Sequence, residues 1–291
     1  MIRFFIFLQY FIEKSSSSLL SLIRILVLSR KPSIYPSTLK NEIVILANGP
    51  SLNKMIEKHG SFLENKECIC VNFFPTTNKY DELKPRFTIL SAPELWRETA
   101  PDNFRELSTN LFSAMRDKTT WQMIFFIPCE ARKWEKWKEI IKTNKNISIC
   151  YYNNTPVEGW KWLSHLLYDL KCGMPRPQNI LIPSIHILLA IGYKKIYLWG
   201  ADHSWLKEIS VDDQNNALVN QKHFYDENAS KPATMHKAGT GKRRLHEILY
   251  KFMKSFESYF VLRNYAEYKN ASVINNTPGS FIDAFTKERL E

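Results

Sequence analysis

Residues 42–52 read EIVILANGPSL, and the fold follows from this stretch. Glu42–Ala47 is a short, unbroken apolar run rich in β-branched side chains. That is the pattern of a strand buried on both faces of a parallel sheet. Asn48-Gly49-Pro50-Ser51-Leu52 then leads directly into a helical stretch at Asn53–His59. A strand, a tight glycine turn and a helix start bring backbone N–H groups together where a phosphate can sit. Gly49 lets the main chain approach a ligand, Pro50 restricts the turn, and Ser51 is placed to cap the helix. The spacing is neither GxGxxG nor a Walker loop, so an ordinary turn fits it as well.

The alternation continues outward. Glu67–Asn72 (ECICVN) and Phe87–Ser91 (FTILS) read as strands, the second running into Ala92-Pro93-Glu94. Gln122–Ile127 and Asn146–Tyr151 read as two more. Lys194–Trp199 (KKIYLW) is a further buried strand, ending at Gly200-Ala201-Asp202-His203-Ser204. Asn179–Ile191 and Leu245–Tyr259 carry apolar residues at helical spacing, the latter through Leu245, Ile248, Leu249, Phe252, Met253 and Phe256. A short apolar piece at Ala271–Ile274 precedes Asn275–Ser280, and Phe281–Leu290 reads as a closing helix. Together these predict an α/β fold, a Rossmann-like, mostly parallel sheet with helices on both faces. Ligands of such sheets bind outside the carboxyl ends of the strands, which draws attention to Asn48, Asn72 and Asp202. The polar stretch at about 206–244 is expected to be either an active-site lid or a surface loop.

Composition sets outer bounds. The chain has 291 residues, of which 44% are hydrophobic and 24% charged, with only 9 glycines. That excludes a disordered or collagen-like chain. The net charge of +11 implies an anionic partner. Basic residues are spread along the chain with no helix-turn-helix, RRM or zinc-finger fingerprint, so nucleic acid is not the expected one. The five cysteines lack framework spacing. Cys68 and Cys70 fall at i, i+2 on a strand and point to one face as small core residues, which suits a reducing cytoplasm.

Residues 1–31 raise a membrane question. Two apolar runs, Ile2–Ile12 and Leu19–Leu28, flank a polar break at Glu13–Ser18. Neither reaches the roughly 18–20 residues of a spanning helix. The expectation is one or two short helices in the bilayer interface, with Arg3, Lys14, Arg24, Arg30 and Lys31 facing anionic headgroups. Docking on the protein's own body or on another subunit, and a cleaved signal, are the competing readings. Lys31–Lys40, with Pro32 and Pro36, reads as a linker. The expected organisation is residues 1–40 as an N-terminal segment and linker, and 41–291 as one Rossmann-like domain.

Four pieces together resemble a known group. EIVILANGPSL matches the N-G-P-S-L opening of the bacterial sialyltransferases of glycosyltransferase family 42 and of the related flagellin-modifying Maf glycosyltransferases. ILLAIGYKKIYLWGADHS resembles their helix, strand and G-x-D turn. TMHKAGTGKRRLHEILY sits where the family places a His-bearing lid before a helix, and SVINNTPGSFIDAF resembles the C-terminal strand and helix of the Maf-like relatives. The resemblance spans most of residues 42–285 through about forty positions, a sparse but co-linear match. It implies a transferase that uses a nucleotide-activated sugar, usually CMP-sialic acid, inverts the anomeric centre, and needs neither metal nor separate cofactor. Carried over, Asn48, Gly49, Pro50 and Ser51 would hold the donor phosphate and ribose, and Asn72 would touch the nucleotide. Gly200, Asp202, His203 and Ser204 would hold the nucleoside end. Ser184 and Arg176 stand near the family's serine and arginine, His236 would be the general base, and Lys237 would follow it on the lid. The family's two phosphate-binding tyrosines have no counterpart in Asp202-His203-Ser204-Trp205, and Tyr225 could substitute only after a loop rearrangement.

The chemistry of the residues runs alongside. Glycosyl transfer to an alcohol needs a base, and a histidine titrates in the right range. Lys237, Lys242, Arg243 and Arg244 close behind His236 could stabilise a departing phosphate; a solvated basic helix start fits them too. His203 is a rival base, a nucleotide contact or a structural residue. No second carboxylate pairs with Asp202 as D-x-D, so no metal is expected. His186 reads as a core histidine. Trp134, Trp137, Trp160 and Trp162 could shape an acceptor groove or fill the core. The reading is a cytoplasmic glycosyltransferase, peripheral on the inner membrane of a bacterium, acting on a glycan or lipid-linked acceptor. Sialic acid, Kdo or another nonulosonic acid is the expected sugar, and a homo-oligomer stays open. A UDP- or GDP-sugar transferase, a Mg²⁺-dependent pterin pyrophosphokinase, and a non-catalytic nucleotide-binding envelope subunit are the alternatives.

Overall fold

The computed structural model of the chain describes residues 1–38, 40–220, 224, 231–237 and 241–290, the side chains of 103 and 237 excepted. Helix α1 (Ile2–Leu28) is followed by β1 (Glu42–Leu46), α2 (Leu52–His59), β2 (Glu67–Val71), α3 (Lys79–Leu83) and β3 (Phe87–Ile89). Then come α4 (Asp102–Lys118), β4 (Met123–Pro128), α5 (Lys136–Ile141), β5 (Ile147–Tyr152), α6 (Lys161–Asp169), α7 (Leu181–Ile191) and β6 (Lys195–Trp199). The remainder comprises β7 (Ile209–Val211), β8 (Ala217–Val219), β9 (Ala233–Thr234), β10 (His236–Lys237), β11 (Gly241–Lys242), α8 (Leu245–Tyr268), β12 (Ser272–Asn275) and β13 (Thr286–Lys287).

Eight strands form one sheet in the order β13-β12-β6-β1-β2-β3-β4-β5, and each neighbouring pair is parallel. The α/β architecture read from EIVILA and KKIYLW is the one observed. The chain winds outward from β1 to β5, then returns to lay β6 on the other side of β1. That reversal is a topological switch point, where loops diverge and leave a crevice. Alternate residues of the central strands serve opposite faces. Ile43, Ile45, Ile196 and Leu198 pack with α7 and α8, while Val44, Leu46, Tyr197 and Trp199 pack with α2. Cys68 and Cys70 join the second core, and burial pushes both thiols up to about 12, so neither is a thiolate at neutral pH.

Three local expectations are corrected. The polar break at 13–18 does not divide the N-terminus, and α1 is a continuous helix of 27 residues. Serine hydroxyls bond back along the helix, Ser16 Oγ to the Glu13 carbonyl and Ser21 Oγ to that of Ser17, so they are satisfied without breaking it. On α8, Leu249 and Met253 are exposed, and the buried stripe runs instead through Ile248, Phe252, Ser255 and Tyr259. Ser258 faces inward too, its hydroxyl donating to the Arg176 carbonyl at 3.1 Å. Residues 281–290 form no helix. Asn276 Nδ2 donates to the Glu288 carbonyl, and β13 pairs with β12.

After α1, the chain meets the edge strand β5 at Ser33. Ser33 N–H donates to the Tyr151 carbonyl at 2.9 Å, and Ser33 Oγ accepts from Tyr151 N–H at 2.9 Å. Upstream, Ser18 Oγ accepts from Trp160 N–H at 2.9 Å, and Arg24 pairs with Glu158 at 3.0 Å. The contact is close because position 159 is glycine. A Cβ there would meet Ser18 N at 2.6 Å, and the backbone has φ +118°. Among the described residues, no helix is long and apolar enough to cross a membrane.

His186 is a core residue, as expected. It is 1% exposed, stacks on Tyr265 with ring centroids 5.6 Å apart, and neither ring nitrogen has a hydrogen-bond partner. Burial lowers its pKa from the ordinary 6.5 to about 3. The unfolded chain therefore binds a proton that the native state refuses between those two values, and stability falls as pH drops through that window. Replacing His186 with Leu is expected to keep the fold and flatten this slope. Urea midpoints measured across the window check it; an unchanged slope would count against a neutral, buried His186.

Candidate functional site

The site is built where β1 and β6 end side by side. Gly49 N–H donates to the Gly200 carbonyl at 2.8 Å, prolonging the pairing past both strands. Position 49 admits no side chain, since a Cβ there would lie 2.0 Å from Asp202 Oδ2 and 2.4 Å from the Gly200 oxygen. Ser51 Oγ donates to Asp202 Oδ2 at 2.8 Å and its N–H reaches the same oxygen at 3.4 Å. Burial raises the Asp202 carboxyl above its usual pKa, and the Ser51 bonds partly offset this. The amides at Gly49 and Ser51, read from sequence as a phosphate cradle, thus face this chain's own carbonyl and carboxylate.

Residues 274–280 hold the β6 loop from behind. Thr277 Oγ1 accepts from Ala201 N–H at 3.0 Å, and Ser280 Oγ donates to the Ala201 carbonyl at 2.6 Å. Phe281 N–H donates to the Asp202 carbonyl at 3.0 Å. The N-N-T-P-G-S stretch therefore positions Asp202.

A cleft of about 510 Å³ opens beside this junction, a volume typical of ligand pockets. Of the residues singled out from sequence, Asn48, Gly49, Pro50, Asn72, Gly200, Asp202, His203 and Ser204 line it together. Asn48 Nδ2 donates to the Val71 carbonyl at 3.1 Å, leaving its buried Oδ1 without a partner among the described residues. Asn72 Oδ1, on a residue held at φ +49°, and Asn179 Nδ2 likewise have no partner among the described residues. Buried amide groups without partners on a cleft wall are ready to bind something polar.

His203 sits in a relay. Tyr259 OH donates to Asn179 Oδ1 at 3.0 Å, so His203 Nε2–H donates to the Tyr259 oxygen at 2.5 Å. This assignment leaves Nδ1 as an acceptor. Burial lowers the His203 pKa to about 3. So weak a base suits hydrogen bonding to a ligand better than proton abstraction at neutral pH.

The lining also carries charge, with the cations Arg243 and Lys251 alongside the carboxylates Glu94 and Glu208. Arg243 and Lys251 both line the cleft, and neither forms an ion pair among the described residues. Burial lowers the Lys251 pKa, the Arg243 charge lowers it further, and Glu94 opposes both. A lysine whose charge is disfavoured by burial and by a neighbouring cation gains from an anion placed beside it.

Other expected residues lie apart. Ser184 is fully buried in α7, its hydroxyl donating to the Ile180 carbonyl at 2.7 Å. Arg176 pairs with Glu158, just before Pro177, Gln178 and Asn179 of the cleft rim. Against burial, which raises it, the guanidinium groups of Arg176 and Arg24 hold the Glu158 carboxyl below its ordinary pKa. His236 is exposed on β10, 3.1 Å from Thr234 Oγ1, and is not part of the cleft lining. Its neighbour Met235 accepts from Arg243 N–H at 2.7 Å, which ties the hairpin to the cleft. Lys237 belongs to the same strand, and Tyr225 lies outside the described residues. Trp137 is buried in the core, Trp134 packs on it, Trp160 lies against α1 and Trp162 is exposed; none lines the cleft. Among the described residues, no three His, Cys, Asp or Glu side chains gather as a metal-ligand set.

No protein-family model matches the chain, and no curated protein does. Among solved structures, the MAf glycosyltransferase from Magnetospirillum magneticum AMB-1 is similar at 11% identity, with a TM-score of 0.46. The match covers 94% of this chain and 38% of that one, so this chain spans well under half of its length.

Lys251, Asn179 and Glu94 line the cleft without having been expected there. Lys251 carried a readable signal: it falls at i+3 from Ile248 and i−4 from Ser255, so this lysine shares a helix face with inward residues. Asn179 had none, because its role depends on Tyr259, 80 residues away.

Proposed function

We propose that this chain transfers a sugar from a nucleotide-linked donor, CMP-linked in the first instance, to a hydroxyl group of a glycan or lipid-linked acceptor. One observation carries the reading: one cleft is lined by Asp202, by amides of Asn48, Asn72 and Asn179 that lack partners among the described residues, and by two cations that form no ion pair among the described residues. A nucleotide sugar has matching parts, with hydrogen-bonding base and ribose edges at one end and an anionic phosphate in the middle. Asn48, Asn72, Asp202 and Ser204 would take the nucleoside, and Arg243 with Lys251 the phosphate. Those cations would fill the place that the family's tyrosines leave empty.

In the step itself, the bond between the anomeric carbon and the phosphate oxygen breaks, and the nucleotide leaves with the electron pair. The acceptor oxygen bonds to the opposite face of that carbon, which inverts it. Its proton passes to His236, brought in on the hairpin that Arg243 anchors. Lys251 and Arg243 stabilise the charge that grows on the leaving phosphate, a role preorganised cations perform well in a water-poor site. Arg176 acts as a positioning residue for the 177–179 rim.

The test is a melting-temperature panel of CMP, CDP, UMP, UDP and GDP, each with and without Mg²⁺. A ligand at a hundred times its Kd stabilises the native state by about 2.7 kcal/mol. CMP is expected to give the largest rise, without help from Mg²⁺, and CMP release from a CMP-sugar should follow. A larger rise with UDP or GDP moves the donor, and no rise with any nucleotide removes the reading. A second reading, nucleotide binding without transfer, draws on the exposed position of His236 and the weak basicity of His203. Binding with no turnover of any donor would favour it.

A further inference from the structure

Helix α1 docks inside out. The side it turns to the body is mostly polar: Ser18 and Ser21 are its buried residues, with Arg24 on Glu158 and Ser15 Oγ accepting from Trp160 Nε1, and Ile25 packs on the core at its end. The side it turns to solvent is apolar, through Leu19, Leu20, Ile23, Leu26 and Val27. Ahead of the docked part, residues 1–12 are exposed throughout, and they include Phe4, Phe5, Ile6, Phe7, Phe11 and Ile12. Beneath this tip, Trp160 packs edge-on against Tyr10 and Phe11, and the adjoining α6 adds exposed Trp162 and Leu166. Soluble proteins rarely leave so extended an apolar surface uncovered.

We propose that the outer face and tip of α1 insert into the surface of an anionic lipid bilayer. Two observations select lipid over a second copy of the chain. The tip carries apolar side chains around its circumference, interrupted by Arg3 and Gln9, and a flat contact with another helix would cover one side while acyl chains cover all of them. The charge also complements lipid: Arg24, expected from sequence to face headgroups, is taken up by Glu158, but residues 1–31 still hold Arg3, Lys14, Arg30 and Lys31 against Glu13 alone, and the chain as a whole carries +11. Anionic headgroups attract that charge, whereas a second copy repels it. Because α1 cannot cross the membrane, it lies in the interface, with its arginine and lysine heads reaching the headgroups. This surface is independent of what the cleft binds.

Flotation of the full chain with phosphatidylglycerol-rich vesicles, and with vesicles of phosphatidylcholine alone, tests it. The wild type is expected to float with the anionic vesicles and to weaken in high salt. A Phe4→Gln, Phe5→Gln, Phe7→Gln variant should bind at least about tenfold more weakly. Its melting curve should match the wild type, since these rings are exposed and, among the described residues, their ring contacts are with one another and with Phe11. The proposal is overturned if the wild type stays at the bottom with both vesicles, or if variant and wild type float alike. It is also overturned if the lipid-free wild type sediments as a dimer that the variant dissociates, because a second copy then covers this face.

Discussion

Replacing Lys251 with Met is expected to lower kcat/KM for the donor reaction by about 100-fold or more, the scale seen when one preorganised charge is removed from a developing anion. The argument starts from cost. Lys251 lies partly buried on the cleft wall, its charge disfavoured first by burial and then by Arg243. A protein keeps a cation there at the expense of stability unless something anionic arrives. Met preserves the length and apolar stem of the side chain, so α8 should pack as before and melting temperature should hold. If the phosphate is grasped chiefly as it departs, kcat falls more than KM rises, and Lys251→Arg restores part of the rate. A Met variant that still binds nucleotide and turns over within about threefold of wild type would remove Lys251 from the mechanism.

The second large effect concerns Gly49. Gly49→Ala is expected to cost about 3 kcal/mol in urea unfolding and to abolish nucleotide binding. The added Cβ would sit 2.0 Å from Asp202 Oδ2 and 2.4 Å from the Gly200 carbonyl oxygen, and the second of these is backbone. Relief requires parting β1 from β6 beyond their ends, which loses the Gly49 N–H bond and pulls Ser51 from Asp202. Gly60→Ala is the matched control. A Cβ there meets nothing within 4 Å, and its φ of −55° suits any residue. A Gly49→Ala protein as stable as the Gly60→Ala one would contradict the packing at the strand ends.

The sheet was legible because buried parallel strands write themselves as short apolar runs, and EIVIL and KIYLW are both nearly pure. The carboxyl ends of the strands were legible too, which drew attention to Asn48, Asn72 and Asp202; that they share one crevice follows from the strand order of the structure. The helices were harder. In both α1 and α8, serines with hydroxyls bonded back to their own helix turn inward, and leucines or phenylalanines turn out. Such a serine is small and nearly satisfied, so it permits close backbone approach. Periodicity that assigns apolar residues to the interior misreads both helices for the same reason. The phosphate loop was misjudged differently. EIVILANGPSL carries the amides, but which group faces them is decided by Asp202, some 150 residues later. The rest of the cleft lining is likewise a tertiary product, since Lys251, Arg243 and Asn179 come from separate stretches of the chain.

Glu158 has a geometric consequence. One carboxylate grips Arg24 on the N-terminal helix and Arg176 at the edge of the cleft, and Gly159 beside it touches Ser18 backbone to backbone. These contacts join the two sites directly. With α1 resting on lipid as proposed, they would set the height and tilt of the cleft above the headgroups, as a gauge on an arm would. For a cleft that transfers sugar as proposed, acceptor choice then becomes partly a matter of reach, a hydroxyl being selected by its distance from the bilayer plane as well as by its shape.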